Sequence, residues 1–317
     1  ETGKKECNKG MAVIRPIAGY VFSGGVAASA FNQVDPQKKY KRIFVIGSSQ
    51  HVRLQGAAVY TSGDFLTPLG VVRVDTEFCR QLETDHPGLF LADTRAHRDE
   101  HSIEVQLPFL QHILGDELLI VPIIIGTSST VVCKRIADVL SPFLNEDNLF
   151  VVSTDFSHYP PYDRAVDVDA CTKDAILSNN PDTLISVMQK NESENIPGLA
   201  TCLCGWTSVL TLLYMTTGND MMQYVAIDYK NSGDAPEYGE KEQVVGYWGM
   251  AVCDNEMKFT RTEEARLLEI ALEALKGAVT SGKTAKLNSP GKYSDALQRH
   301  CGAFVTVSYT HLTLPTI

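Results

Sequence analysis

The stretch MAVIRPIAGYVFSGG, residues 11–25, sets the expected fold class. Its first five residues are typical of a buried strand, Pro16 ends that strand, and Ser23 is placed to act as the N-cap of an alanine-rich helix over residues 23–34. Strand, tight loop and helix start is the arrangement with which α/β proteins surround a ligand with backbone N–H groups. Ile17 nevertheless puts an apolar side chain at the mouth of this loop.

The same alternation continues along the chain. Three continuous apolar runs, RIFVIG (42–47), LLIVPIIIG (118–126) and LFVVS (149–153), predict strands that are buried on both faces of a parallel sheet. Between them, residues 100–114 have apolar side chains at helical spacing, with a proline that predicts a kink. The repeated β–α order predicts an α/β fold with a doubly wound, mostly parallel sheet and helices on both faces.

Composition excludes several classes of protein. A net charge of -10 and a pI near 5.3 argue against non-specific nucleic-acid binding. The longest apolar run, residues 118–126, is too short to cross a bilayer, so no membrane partner is expected. The 8 cysteines include no CxxC pair, which disfavours a zinc ribbon. We therefore expect mostly free thiols and a reducing, cytoplasmic location.

A change of composition over residues 253–264 predicts a domain boundary. Thr260 and Glu263 have the spacing of a capping box for an amphipathic helix over residues 263–279, and GAFVTV (302–307) predicts a later strand. We expect residues 1–254 to form one domain with its N-terminal part truncated, and residues 255–307 to begin a second α+β domain. Residues 308–317 are interpreted as a non-native tail.

Polar motifs follow the predicted strands or open the predicted helices: PIAGYVFSG, GSSQHV, EHSIE, STDFSHY and LCGW. Ligands bind outside the carboxyl ends of the strands in doubly wound sheets, so we expect these motifs to line one cleft. Each residue alone has a structural interpretation, such as a hydrogen-bonded Asp155–His158 pair or a core Cys204. A helix start would favour a Cys204 thiolate. The candidates for this cleft are Gly19, Gln50, His51, Glu100, His101, Asp155, His158 and Cys204.

The run HRDEH, residues 97–101, matches the HxxEH spelling of inverted zinc peptidases. That chemistry needs both histidines on one helical face, together with a distant carboxylate. The residues before Glu100 show no apolar periodicity, so we expect the helix to begin at Glu100 and His97 to lie in a loop. This disfavours the peptidase interpretation.

In this order, the five motifs resemble the Memo family over about residues 11–253. The family is component B of the AmmeMemoRadiSam set, in which Memo and AMMECR-type domains occur with a radical SAM enzyme. The resemblance implies a fold similar to class III extradiol dioxygenases. It also implies partnership with a radical SAM enzyme, and residues 255–307 are similar to the start of an AMMECR-type domain.

Memo proteins carry candidate metal ligands in a PHAGY motif, directly after GPS or GSS, and in a CG motif. The matching positions here are Ile17, Gln50 and Cys204, so only the cysteine is retained. His51 would supply a second imidazole only if its loop shifted by one residue. Iron or copper is therefore implied by the resemblance but doubtful in this chain.

The remaining motif residues match the family. His158 is implied as an acid/base group with Asp155 placed to orient it, and Glu100 and His101 as further catalytic residues. Ligand-binding roles are implied for Gly19, Tyr20, Ser49, Gln50 and His51.

Two functions remain open. The first is an accessory protein whose cavity binds a ligand or substrate segment for a radical SAM partner. The loss of two ligand positions and the fused second domain favour it. The alternative is an iron- or copper-dependent redox or oxygenase-like enzyme with His158 as acid/base. The chain contains no CxxxCxxC cluster motif, so radical SAM chemistry would belong to the partner.

Overall fold

The computed structural model describes Cys7, residues 9–255 and residues 261–281. The chain divides into two compact units, with the boundary after Asn255. The first unit contains the sheet and all the candidate site residues. The second unit is described below through its one described helix.

Ten strands form one mixed sheet. They are β1 (Gly10–Arg15), β2 (Arg42–Ser48), β3 (Ala57–Val59), β4 (Phe65–Thr67), β5 (Gly70–Val74), β6 (Phe90–Leu91), β7 (Leu119–Ile125), β8 (Asn148–Ser153), β9 (Met222–Asn231) and β10 (Gly246–Asp254).

Eight α-helices belong to the first unit among its described residues. They are α1 (Tyr20–Phe31), α2 (Thr76–Asp85), α3 (Arg95–Arg98), α4 (Leu107–Leu114), α5 (Thr130–Leu140), α6 (Tyr162–Leu177), α7 (Pro181–Ser193) and α8 (Trp206–Thr216). Short 3-10 turns cover Glu104–Gln106, Ser141–Phe143 and Ser232–Asp234.

The strand order is β4-β5-β7-β2-β8-β1-β10-β9, and β3 adds to β7 and β6 off this path. The central strands β5, β7, β2, β8 and β1 are mutually parallel. Antiparallel pairs flank them, β10 and β9 on one side and β4 on the other. The expected α/β fold with a large, mostly parallel sheet is therefore present.

Helices cover both faces of the sheet, as shown on β10. A Cβ added to Gly249 would meet Val26 and Ala30 of α1, whereas one added to Gly246 would meet Asp169 of α6. Side chains of a strand alternate between faces, so positions three residues apart point in opposite directions. Helices α1 and α6 therefore lie on opposite faces.

The central strands are continuous apolar runs because both of their faces are buried. β2 and β8 pair in register, and the rings of Phe44 and Phe150 stack with their centroids 4.5 Å apart. The parallel strands end at one edge of the sheet. The loops that follow β1, β2, β7 and β8 consequently meet there.

Two predicted helix starts are wrong. Helix α1 begins at Tyr20 because the carbonyl of Gly19 already accepts the N–H groups of Phe22 and Ser23, so Gly19 is the N-cap. Ser23 lies in the first turn and donates its hydroxyl to the Ala18 carbonyl at 2.8 Å. The helix expected from residue 100 begins only after the 3-10 turn Glu104–Gln106.

The proline of the predicted kink lies in the first turn of α4 instead. A first-turn residue has no intrahelical acceptor for its N–H, so Pro108 costs no hydrogen bond there. It marks the start of a helix and not a bend within one.

Cys7 and Cys253 form a disulfide, which corrects the expectation of free thiols at these two positions. The pairing of β1 with β10 places Gly10 opposite Cys253, so the chain just before β1 meets the end of β10. The other described cysteines are free: Cys79, Cys133, Cys171, Cys202 and Cys204.

The second unit contains helix α9 (Arg261–Ser281), which agrees with the helix predicted over residues 263–279. Thr260, GAFVTV and residues 308–317 lie outside the described residues, so the capping box, the AMMECR-type assignment and the tail remain predictions. Within the described parts of both units, no helix combines the length and apolarity that a membrane span needs.

Candidate functional site

Asp155 joins two of the loops that meet at the sheet edge. It follows β8, and its Oδ1 accepts the backbone N–H groups of Ile17 at 2.8 Å and Ala18 at 3.3 Å. Burial raises the pKa of this carboxyl to about 7, against the opposing effect of those two N–H groups and of Arg15. Asp155 therefore holds the loop after β1 in place and titrates near neutral pH.

His158 lies one turn of loop further on, with Nε2 3.9 Å from Oδ2 of Asp155. This is an ion-pair distance and too long for a hydrogen bond. The expected hydrogen bond between Asp155 and His158 is therefore absent. One oxygen of Asp155, Oδ1, accepts the amides of Ile17 and Ala18 instead. Nε2 of His158 has no hydrogen-bond partner among the described residues, and burial lowers the pKa of the ring.

Cys204 precedes α8 and completes a cluster with Asp155 and His158. Its Sγ accepts the backbone N–H of Asp155 at 3.1 Å and lies 3.8 Å from Oγ1 of Thr154. Burial, followed by the nearby Asp155 carboxyl, raises the pKa of the thiol to about 12. Burial therefore opposes the thiolate that was expected at this helix start.

One carboxylate oxygen, one imidazole nitrogen and the Cys204 sulfur all lie within 4.8 Å of one another. Donors of a tetrahedral transition-metal site are separated by about 3.4–3.8 Å, given metal–ligand bonds of about 2.1–2.3 Å. The three groups would have to close on an ion, and Sγ already accepts an amide N–H. This cluster of Asp155, His158 and Cys204 is the group among the described residues that comes nearest to a metal site.

The two-imidazole set implied by the resemblance does not fit this chain. Ile17 places a buried hydrocarbon, only 4% exposed, where an imidazole is implied. Gln50 has its backbone N–H bonded to Oε2 of Glu100 at 2.9 Å, and its side chain is among the groups that lower the pKa of the Cys204 thiol. An amide is a weak ligand for iron or copper beside sulfur.

Glu100 is a structural residue in this arrangement. Its Oε2 accepts the Gln50 N–H, and its Oε1 accepts the N–H of Ser102 at 3.1 Å. The carboxylate is buried and its two oxygens hold two loop amides. Its predicted catalytic role remains untested, but the contacts assign it to fixing the loop that carries Gln50.

A cavity of about 720 Å³ opens beside Cys204. Three predicted residues line it with Cys204: Ser49, Gln50 and His51. The other members of the expected cleft do not line it. They are Gly19, Glu100, His101, Asp155 and His158. Cys204 is shared by the cavity and the cluster with Asp155 and His158.

Tyr20 and His101 lie away from this cavity. Tyr20 donates its hydroxyl to the Val105 carbonyl at 3.0 Å, and its ring meets Phe109 edge-on. His101 is exposed, and its carbonyl accepts the N–H of Val105. The structure thus gives both residues a place around the Glu104–Gln106 turn and gives neither a contact with Cys204.

The structure also opposes the zinc-peptidase pattern. His97 lies in the short helix α3, not in the expected loop, and its buried ring contacts the carbonyl of Ala58 at 3.2 Å. Burial lowers the pKa of this ring to about 4. His101 is outside that helix and exposed, so the two imidazoles do not share a helical face.

The part of the chain that contains the sheet and the candidate site is similar to known proteins. A family model described as "Memo-like protein" matches residues 1–251. The chain belongs to the Memo family. A "MEMO1 family protein" of Desulfurococcus amylolyticus is 32% identical over 237 residues, which is 74% of this chain and 80% of that protein.

Further MEMO1 family proteins are similar to this chain. One from Thermoplasma acidophilum is 31% identical over 240 residues, covering 75% of this chain and 83% of its own length. A crystal structure of an uncharacterized protein from Escherichia coli K12 has 14% identity and a TM-score of 0.47, covering 75% of this chain and 98% of that one.

Arg15 is a Memo-domain residue that the sequence analysis missed. It is completely buried, donates twice to the Pro16 carbonyl at 3.2 and 3.1 Å, and lies over the rings of Phe31 and Phe109. Burial lowers the pKa of its guanidinium to about 9. A charged residue at the end of an otherwise apolar strand was the available signal.

The cavity residues that follow β7 or lie on α5 were not predicted either. Thr127, Ser128 and Ser129 follow β7 in the loop that leads into α5, and Arg135 projects from that helix. The rule that placed Gln50 after β2 applies equally to the end of β7, so these hydroxyl residues could have been predicted. The same rule does not predict Arg135, because this residue lies within a helix and not at the end of a strand.

Proposed function

We propose that this Memo-family chain is an accessory protein whose cavity binds a ligand or substrate segment for a radical SAM partner. Its metal site is degenerate. Two observations carry the proposal: a buried Ile17 stands in place of an imidazole and bonds Asp155 of the cluster, and Cys204 of the same cluster lines a cavity of about 720 Å³. Cavities of this size accommodate small organic ligands.

The protonation of the cluster supports a binding role. With the pKa of Cys204 raised to about 12, the metal-free sulfur is a neutral thiol at pH 7 and is not an activated nucleophile. The lowered pKa of His158 leaves its ring neutral. The AMMECR-type assignment of residues 255–307 is part of the proposal, since fusion would bring components together at high effective concentration.

The second candidate is an iron- or copper-dependent redox or oxygenase-like enzyme, with a fold like the class III extradiol dioxygenases. The cluster of Asp155, His158 and Cys204 favours it, because three different donors converge there. His158 would be the acid/base group of such an enzyme if its imidazole were not itself a ligand of the metal.

Calorimetric titration with ferrous and cuprous ions under anoxic conditions separates the two candidates. We expect no tight binding by the parent chain and stoichiometric binding by the double variant Ile17→His/Gln50→His, which restores two imidazoles beside Cys204. Adding Cys204→Ser to the double variant should abolish that binding. Tight, stoichiometric binding by the parent that is lost in Cys204→Ser would overturn the accessory proposal.

A further inference from the structure

The cavity beside Cys204 contains positive side chains and no negative ones. Arg53, in the loop after β2, and Arg135, on α5, both line it, and none of its lining residues is an aspartate or glutamate. The chain as a whole has 38 acidic residues against 28 lysines and arginines. A wall free of carboxylates in so acidic a protein favours a negatively charged occupant.

Among the described residues, neither Arg53 nor Arg135 has an acidic partner. Arg42 pairs with Asp75 at 2.7 Å and Arg95 with Asp93 at 2.6 Å. Arg53 and Arg135, by contrast, have no ion pair or side-chain hydrogen bond to any described residue. Two guanidinium groups with free donors thus reach one cavity from different elements, and guanidinium is the side chain best shaped to bind carboxylate or phosphate.

Hydroxyl groups and helix starts add to the same wall. Ser129 caps α5 through a bond from the Val132 N–H, and Thr207 lies in the first turn of α8. Both residues line the cavity, so two helices begin at its surface. The positive ends of helix dipoles favour anions, in the same sense as the arginines.

We propose that this cavity binds a small ligand through an anionic group, a phosphate or a carboxylate, held by Arg53 and Arg135. The cavity is several times larger than either group, which leaves room for an organic part extending towards Cys204. The inference rests on the proposed ligand-binding function and adds the chemical class of the ligand.

The test measures the thermal unfolding midpoint of the whole chain against increasing inorganic phosphate, malonate or glycerol at constant ionic strength. A ligand that binds the folded state raises this midpoint in a saturable manner. We expect saturable stabilisation by phosphate or malonate and none by glycerol. The anion with the lower apparent dissociation constant, phosphate or malonate, indicates whether the anionic group of the natural ligand is a phosphate or a carboxylate.

Arg53→Gln and Arg135→Gln should each raise the apparent dissociation constant about tenfold or more, the effect of losing a charge-assisted hydrogen bond. Arg73→Gln is the matched control, since Arg73 is exposed, unpaired among the described residues and outside the cavity. It should leave the constant unchanged.

Absence of saturable stabilisation by both anions, or equal weakening in the Arg73→Gln control, would overturn the anionic class. The accessory proposal would survive that result, because it fails only if the parent chain binds ferrous or cuprous ion tightly through Cys204. The two failures are therefore distinguishable.

Discussion

At the scale of single residues, the site is governed by burial. Asp155 and Cys204 both have raised pKa values because desolvation penalises their charged forms, and the pKa of His158 is lowered for the same reason. All three groups are therefore shifted towards their neutral states. In this cluster Asp155 accepts the amides of Ile17 and Ala18, and Cys204 accepts the amide of Asp155, so the two side chains hold the loops together through hydrogen bonds.

Asp155→Asn should change the pH dependence of stability. The folded pKa of Asp155, about 7, lies above its unfolded value, so the folded protein keeps a proton that the unfolded chain has lost between about pH 4 and 7. This contribution to stability is complete below the unfolded pKa and is lost as the pH rises through 7. Asparagine keeps the acceptor for the Ile17 and Ala18 amides but cannot ionise.

We therefore expect Asp155→Asn to be more stable than the parent at pH 8, by on the order of 1–3 kcal/mol, and equal to it near pH 4. Urea denaturation across this range measures the difference. Asp116→Asn is the matched control, since Asp116 is exposed and its replacement should change the free energy of unfolding little. Parent and Asp155→Asn curves that stay parallel would show that the carboxyl titrates normally in the folded protein.

At the scale of elements, the start of α8 is packed directly against the end of β8. The Gly205 N–H bonds Oγ1 of Thr154 at 2.8 Å, and a Cβ on Gly205 would lie 2.6 Å from the Ser153 carbonyl oxygen. Such a contact with backbone cannot be relieved by a side-chain rotation. The close approach is what brings Cys204 to the backbone N–H of Asp155.

Gly205→Ala should therefore destabilise the fold by on the order of 1–3 kcal/mol. Gly25→Ala is the matched control: it lies within α1, and its added Cβ meets nothing within 4 Å. Removing a helical glycine there should stabilise by about 0.5–1 kcal/mol. Chemical denaturation of both variants gives the comparison, and similar changes in the two would contradict the packing of α8 on β8.

At the scale of the whole molecule, the Cys7–Cys253 disulfide links two positions 246 residues apart in the chain. Cross-links that close long loops restrict the unfolded chain and stabilise typically by about 2–4 kcal/mol. We expect non-reduced protein to resist alkylation at these two cysteines and to lose stability on treatment with reductant. The Cys7→Ser variant should be insensitive to reductant.

Full alkylation of Cys7 and Cys253 without reduction would contradict the cross-link. Cys171 serves as the internal control for this labelling, because it is exposed and free and should react under all conditions.

Much of the fold was predictable because the central strands are buried on both faces. Strands of this kind need apolar residues at every position, so they occur in the sequence as continuous apolar runs. Residues 57–91, by contrast, contribute strands as short as Phe90–Leu91, too short to create a pattern. Because ligands bind outside the carboxyl ends of the strands in such sheets, the sequence also predicted that Gln50, Asp155 and Cys204 lie in one region. The protonation of Cys204 could not be predicted, since it depends on burial by several elements.

The two arginines of the cavity could not be predicted from the sequence either. Arg53 and Arg135 come from separate elements, and only the packing of α5 beside the loop after β2 brings them together. The motif around Glu100 likewise did not indicate that its carboxylate oxygens accept the amides of Gln50 and Ser102.

If the proposed function is right, Ile17 and Gln50 prevent the site around Cys204 from holding iron or copper. The most direct measurement is the iron and copper content of the full chain after purification under anoxic conditions, beside the Ile17→His/Gln50→His variant prepared identically. We expect the parent to carry far less than one ion per chain and the variant to approach one. One ion per parent chain, lost in Cys204→Ser, would contradict the claim and favour the metal-dependent enzyme.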